Sequence, residues 1–113
     1  MSRDLSFWRY VVRHEDHYDV YQRLSDGEMV EGVAMLPIKQ IRSTLYAAFS
    51  DWKRLDDDHL DLNGRELIEI FTTEQFVRFD CYDVSEDNMN RLIDLMLLFN
   101  CCLYDSLIDE RFE

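Results

Sequence analysis

The sequence predicts a single α+β domain spanning residues 1–113, with a mainly antiparallel sheet and helices packed on one of its faces. Two observations support this fold class. One stretch alternates apolar and polar residues as an antiparallel hairpin does, and two other stretches carry apolar residues at helical spacing. The predicted order of elements is β-α-α-β-β-α-β. With 113 residues, of which 47% are hydrophobic, the chain is large enough to bury a core without disulfides or a metal.

Three regions have the character of β-strands. Residues 5–13 are rich in aromatic and β-branched residues and predict the first strand. Residues 66–71 and 75–82 alternate in polarity around a short turn, which is typical of a half-buried hairpin. Residues 102–112 supply a final extended segment.

Three other regions predict helices. The first is short, begins near Asp16, runs to about residue 25 and ends at Gly27, which is suited to a left-handed cap. Pro37 fits the start of the second helix, which carries an apolar stripe through Ile41 and Leu45. Ser85 is a good N-cap for the third, which becomes apolar almost all round towards residue 99 and is expected to be covered on more than one side.

Cysteine usage and hydropathy indicate a reducing, cytoplasmic setting. The three cysteines, Cys81, Cys101 and Cys102, form a poor disulfide framework, and we expect them to be small buried hydrophobic residues. The longest apolar run, residues 95–99, is far too short to cross a bilayer, and no secretory signal is recognisable. We therefore expect no membrane association.

The excess of negative charge is confined to the second half of the chain. Residues 1–54 contain 8 acidic and 8 basic side chains, whereas residues 55–113 contain 16 acidic and 4 basic ones, so the whole net charge of −12 lies in the second half. Phosphate binding needs a basic surface, which argues against nucleic acid as a partner. An acidic surface can instead attract a basic protein. From composition alone, solubility is the simpler explanation.

The candidate partner-binding residues lie in an acidic loop around residues 56–64 and on the outward face of the predicted hairpin. A calcium loop aligned on Asn63 and Gly64 would place His59 at its first position and Ile70 at its twelfth, and neither supplies the required oxygen ligand. The loop is therefore expected to be solvated and available to a partner. The candidates are Asp56, Asp57, Asp58, Asp61, Glu69 and Asp80.

An enzyme and a self-associating domain are the alternative hypotheses. The three histidines, the thiols and the carboxylates are chemically competent residues, but no nucleophile elbow, phosphate loop, zinc signature or dinucleotide fingerprint is present. We therefore predict no catalytic, cofactor or metal site. Self-association, for example as a homodimer, is suggested by the apolar end of the third helix and the aromatic first strand.

Two segments at the ends of the chain and two between them share a pattern: residues 1–8, residues 102–105 with 110–112, residues 36–38, and residues 79–82 with 85–87. In this pattern the chain resembles a group of small acidic bacterial proteins, some of which look like immunity proteins of polymorphic toxin or contact-dependent inhibition systems. It implies a non-catalytic cytoplasmic protein that neutralises a cognate toxin by binding it. A nuclease toxin is basic where it holds nucleic acid, and an acidic inhibitor suits such a surface.

Overall fold

The computed structural model describes residues 2–113 and confirms the α+β class and the predicted order of elements. It adds two short strands before the predicted hairpin and a two-residue strand at the end. In chain order the elements are β1 (Ser2–Trp8), α1 (His17–Ser25), α2 (Ile38–Ala48), β2 (Lys53–Asp56), β3 (His59–Leu62), β4 (Glu66–Thr73), β5 (Phe76–Tyr82), α3 (Glu86–Leu97), β6 (Cys102–Asp105) and β7 (Glu110–Arg111).

The strands form one sheet in the order β2-β3-β4-β5-β1-β6-β7, and every pairing between neighbours is antiparallel. The first strand of the sequence thus lies inside the sheet, between β5 and β6. It ends at Trp8, earlier than predicted, and Val11 and Val12 beyond it are exposed. Because β1 pairs with β5 on one side and β6 on the other, it joins the β4–β5 hairpin and the last two strands into one sheet.

The larger part of the core lies between the sheet and helices α2 and α3. Alternate strand residues such as Phe7, Phe79 and Ile70 point into it and meet Leu45 of α2 and Leu92 of α3. We call this side of the sheet the helical face. Burial of these large apolar side chains is the main source of stability in the fold.

The opposite side of the sheet is covered at one end only, by α1 and the connector that follows it. Trp8, Phe76 and Tyr104, which alternate with residues of the helical face, pack here against Val20 and Leu24 of α1. We call this side the α1 face. Two helices therefore lie on one face as predicted, but α1 does not, because the aromatic residues of β1, β5 and β6 give the sheet a second apolar surface.

The connector between α1 and α2 lies on the core and is held by a buried side chain of the β4–β5 turn. Gln75 is 4% exposed and bonds the backbone of Val30 and Val33. Those two valines are buried, whereas the neighbouring Met29 and Met35 are exposed. The valines complete the apolar cluster beneath α1.

Two sequence-based expectations about exposed segments are wrong. The acidic stretch expected as a loop is largely the β2–β3 hairpin, because Leu60 is buried in the core and anchors β3 to β4. The apolar end of α3 is covered on one side only. Leu95 and Met96 face the core, whereas Leu97 and Leu98 are exposed.

Candidate functional site

Ionisable side chains from five neighbouring strands line up across the uncovered end of the α1 face. Cross-strand pairing sets Asp4 opposite Asp80, Asp80 opposite Glu69, Glu69 opposite His59, and His59 opposite Asp56. Directly opposed residues in antiparallel strands have their side chains on the same face of the sheet. We call this set the acidic row; its members are Asp4, Asp80, Glu69, His59 and Asp56.

Strand alternation places the acidic row on the side away from α2 and α3. Leu5, Phe79 and Leu60 flank the row members in β1, β5 and β3, and all three are buried in the helical face. Their neighbours Asp4, Asp80 and His59 must therefore point the other way. Since α1 packs over the end of the sheet that carries Trp8 and reaches only Asp4 of the row, Glu69, His59 and Asp56 remain accessible.

His59 lies between two carboxylates at the centre of the β2–β4 region. Its Nδ1 is 2.7 Å from Asp56 Oδ1 and its Nε2 is 2.9 Å from Glu69 Oε2. These contacts with Asp56 and then Glu69 raise the pKa of His59 above its ordinary value, against a smaller effect of burial. The pKa of Asp56 is lowered, chiefly by the same contact with His59.

Asp80 is a partly buried carboxylate in the middle of the row. Burial raises its pKa above the ordinary value, and the neighbouring Asp4 and Glu69 add to that effect, whereas Arg78 opposes it. Arg78 Nε lies 3.2 Å from Asp80 Oδ1, and its guanidinium group also lies over the ring of Phe71. Asp80 opens into a polar cleft of about 220 Å³.

Asp4 connects the acidic row to α1 and to the C-terminal strands. Its carboxylate accepts hydrogen bonds from the hydroxyl groups of Tyr21, at 2.8 Å, and Ser106, at 3.0 Å. Beside it, Arg3 forms an ion pair with the buried Asp105. These bonds fix the end of the row that lies nearest to α1.

The structure brings together four of the six predicted partner-binding residues. Asp56, Glu69 and Asp80 belong to the acidic row, and Asp61 lies on the same face, two residues after His59 in β3. Asp57 and Asp58 do not join them. They contact side chains on the α2 side of the molecule, Asp57 with Arg54 and Asp58 with Arg42.

Two members of the row, Asp4 and His59, are absent from the predicted set. The alternation of Asp4 with the apolar Leu5 and Phe7 is visible in the sequence and places Asp4 on a polar face. Its position beside Asp80 depends on strand order, which the sequence does not reveal. The sequence pattern predicts a loop at His59, so it gives no sign of the pairing of His59 with Glu69.

The remaining chemically competent side chains are dispersed. Burial raises the pKa of the Cys81 thiol to about 12 and that of Cys101 to about 11, so both stay protonated near neutral pH. His14 contacts the carbonyl oxygen of Glu31, and His17 contacts the hydroxyl group of Tyr10. Among residues 2–113, no group of three or more His, Cys, Asp or Glu side chains has an arrangement suited to a metal ion.

Fold and site together define a small α+β protein whose sheet exposes an acidic row on a face that one helix covers in part. No protein-family model matches the chain, and the curated proteins searched contain no match to it. Across residues 2–113, none of the helices combines the length and hydrophobicity needed to cross a membrane.

Proposed function

We propose that this protein is a non-catalytic, cytoplasmic binding protein that neutralises a basic protein partner, and that the partner docks on the acidic row. The observation that carries the proposal is the alignment of four carboxylates, from Asp4 to Asp56, on an uncovered sheet face. An array of negative charge on a rigid sheet suits a positively charged surface, both in steering its approach and in fixing its orientation.

The edges of the sheet are poor alternatives to the face for docking. The edge strand β2 is short and has a register shift between Arg54 and Asp56, and β7 has two residues. Short, charged or irregular edge strands hinder the addition of a further strand. The partner is therefore expected to contact side chains of the face rather than to extend the sheet.

The resemblance of the chain ends to bacterial immunity proteins makes a toxin the most specific form of this partner. A nuclease toxin has a basic surface where it holds nucleic acid, and the acidic row is suited to occupy such a surface. In this proposal the protein has no substrate, and inhibition follows from occupancy alone.

The first experiment is to sequence the DNA that flanks the gene and to express any adjacent reading frame that ends in a short basic domain. Binding of that domain is then measured by calorimetry at low and high salt. We expect tight association that weakens as salt rises, because the contacts are between exposed charges. A neighbourhood of metabolic genes, or no binding, would contradict the immunity role.

A pair of double variants tests the position of the docking surface. Glu69→Gln with Asp80→Asn removes two charges from the acidic row, whereas Asp57→Asn with Asp58→Asn removes two charges near α2. We expect the first pair to weaken binding about tenfold, because two charge contacts with the partner are lost, and the second to change it little. Equal effects would show that only the total charge matters.

Self-association is the second candidate function, and a specific surface favours it. Leu98 is 74% exposed at the end of α3, beside a shallow groove between α2 and α3 that contains Ala48 and Leu95. Sedimentation at high protein concentration tests it. A dimer that dissociates in the Leu98→Ser variant would support it, and a monomer at all concentrations would exclude it.

A further inference from the structure

The contacts of His59 require its charged form. A neutral imidazole carries one N–H, so it donates a single hydrogen bond, while its other nitrogen can only accept. An ionised carboxylate also only accepts. Because both ring nitrogens lie within 2.9 Å of carboxylate oxygens, of Asp56 and Glu69, the two contacts form together only with imidazolium.

We propose that protonated His59 occupies, in the free protein, the place that a basic side chain of the partner takes in the complex. Docking of an arginine or lysine at Glu69 then releases the proton of His59. The inference rests on the proposed function, and it specifies how the docking surface is regulated. In the free protein the imidazolium neutralises part of the acidic row. In the complex the cation of the partner takes over the contact with Glu69.

Few charged side chains surround His59 on this face of the sheet. Asp56 faces it from β2 and Glu69 from β4. Lys53 and Asp61 lie opposite each other on the same face, two positions further along β3. The contacts with Asp56 and Glu69 raise the pKa of His59, so the charged form persists above the pH at which an exposed histidine loses its proton.

The thermodynamic linkage between proton binding and partner binding gives the direction in which affinity changes with pH. A partner that binds the deprotonated form more tightly must lower the pKa of His59 when it binds, and it must bind more tightly as the pH rises through that pKa. Between about pH 6 and about pH 8 we expect affinity to increase about twofold to fivefold, as befits one exposed ion pair. The released proton goes to the buffer.

The first test needs no partner. Histidine ring signals are followed by NMR as the pH is changed, in the parent protein and in three variants: Glu69→Gln, Asp56→Asn and Asp61→Asn. We expect His59 to titrate above His17, whose pKa is lowered chiefly by burial. Glu69→Gln and Asp56→Asn should lower the pKa of His59, and Asp61→Asn, which removes the same charge from the same face, should lower it less.

The second test uses a synthetic peptide of alternating arginine and glycine as the probe, with a glutamate–glycine peptide as the control. The probe is added at saturating concentration and the titration of His59 is repeated. Backbone amide shifts of β1, β4 and β5 report where the probe binds. We expect the arginine peptide to lower the pKa of His59 and the control peptide to leave it unchanged.

The outcomes separate this inference from the proposed function. If the probe perturbs the acidic row while the pKa of His59 stays the same or rises, docking is supported and the role of His59 is wrong. If the probe binds elsewhere or not at all, the proposed docking surface is wrong, and the proposed role of His59 is wrong as well. A parent His59 that titrates no higher than an exposed histidine would overturn the inference without any probe.

Discussion

Gln75 is the residue on which the covered part of the α1 face depends. Its side-chain oxygen accepts a hydrogen bond from the N–H of Val30, and its amide group donates to the carbonyl oxygens of Val30 and Val33. These backbone groups are buried with Gln75 and belong to a segment without helix or strand of its own. A buried polar group that loses its partner retains the full cost of leaving water.

Gln75→Ala should therefore destabilise the protein far more than an ordinary surface change. We expect the free energy of unfolding to fall by about 2 to 4 kcal/mol, since several buried backbone groups lose their partner. Urea denaturation followed by tryptophan fluorescence measures it. Gln22→Ala, which alters an exposed glutamine of α1, is the control and should change stability by no more than about 0.5 kcal/mol. If the two substitutions lowered stability equally, water molecules would have taken over the hydrogen bonds of the Gln75 side chain.

At the level of the site, the sequence reveals which side chains are polar and outward but not which of them meet. Asp80 and Glu69 are recognisable because they alternate with apolar residues within one hairpin. Asp4 lies far away in the chain, and only the insertion of β1 between β5 and β6 brings it beside Asp80. Such long-range pairing depends on the packing of the whole sheet, so local patterns do not encode it.

The β2–β3 hairpin is the element whose stability should depend most directly on pH. The hairpin joins the rest of the sheet through β3, which pairs with β4. On the exposed face His59 bonds both Asp56 of β2 and Glu69 of β4, so it links the two strands of the hairpin to each other and to the sheet. The pKa of His59 is raised in the folded protein, so its contribution to stability is complete below about pH 6.5, the value for an exposed histidine. That contribution is lost as the pH rises through the folded-state pKa.

Hydrogen exchange tests this dependence. We expect protection factors of the β2–β3 amides, corrected for the intrinsic effect of pH, to fall between about pH 6 and about pH 8, while those of β1 and β5 stay constant. His59→Gln should remove the dependence and leave a hairpin of constant protection. A hairpin whose protection is the same at both pH values in the parent protein would contradict the role of His59 in holding it.

Elements with strong local signals were the most predictable. The hairpin of β4 and β5 and the cap of α3 follow from alternation and from Ser85, whose hydroxyl group accepts a hydrogen bond from the N–H of Asn88. The β2–β3 hairpin was missed because its acidic residues suggest a solvated loop, and the single buried Leu60 gives a weak strand signal. The side on which α1 packs was missed because aromatic residues on both sides of β1 do not indicate which helix covers them.

For the molecule as a whole, charge is the property with the widest consequence. With 24 acidic and 12 basic side chains, repulsion among like charges opposes the compact state, and most ion pairs, such as Arg54 with Asp57, are too exposed to offset it. Salt screens exposed charges, and at about 0.1 M the screening length is about 10 Å. Repulsion summed over the surface should therefore weaken more than the short ion pairs do.

We accordingly expect the urea midpoint of unfolding to rise as NaCl increases from about 10 mM to about 200 mM, where screening dominates the effect of salt. Two exposed positions supply opposite controls. Asp94→Asn reduces the net negative charge and should flatten the salt dependence, whereas Arg65→Gln increases it and should steepen the dependence. Under the proposed function the same salt should also weaken binding of a basic partner, because both effects act through the excess negative charge. A midpoint that falls with salt, or variants that change the slope in the same direction, would show that individual ion pairs rather than net charge govern stability.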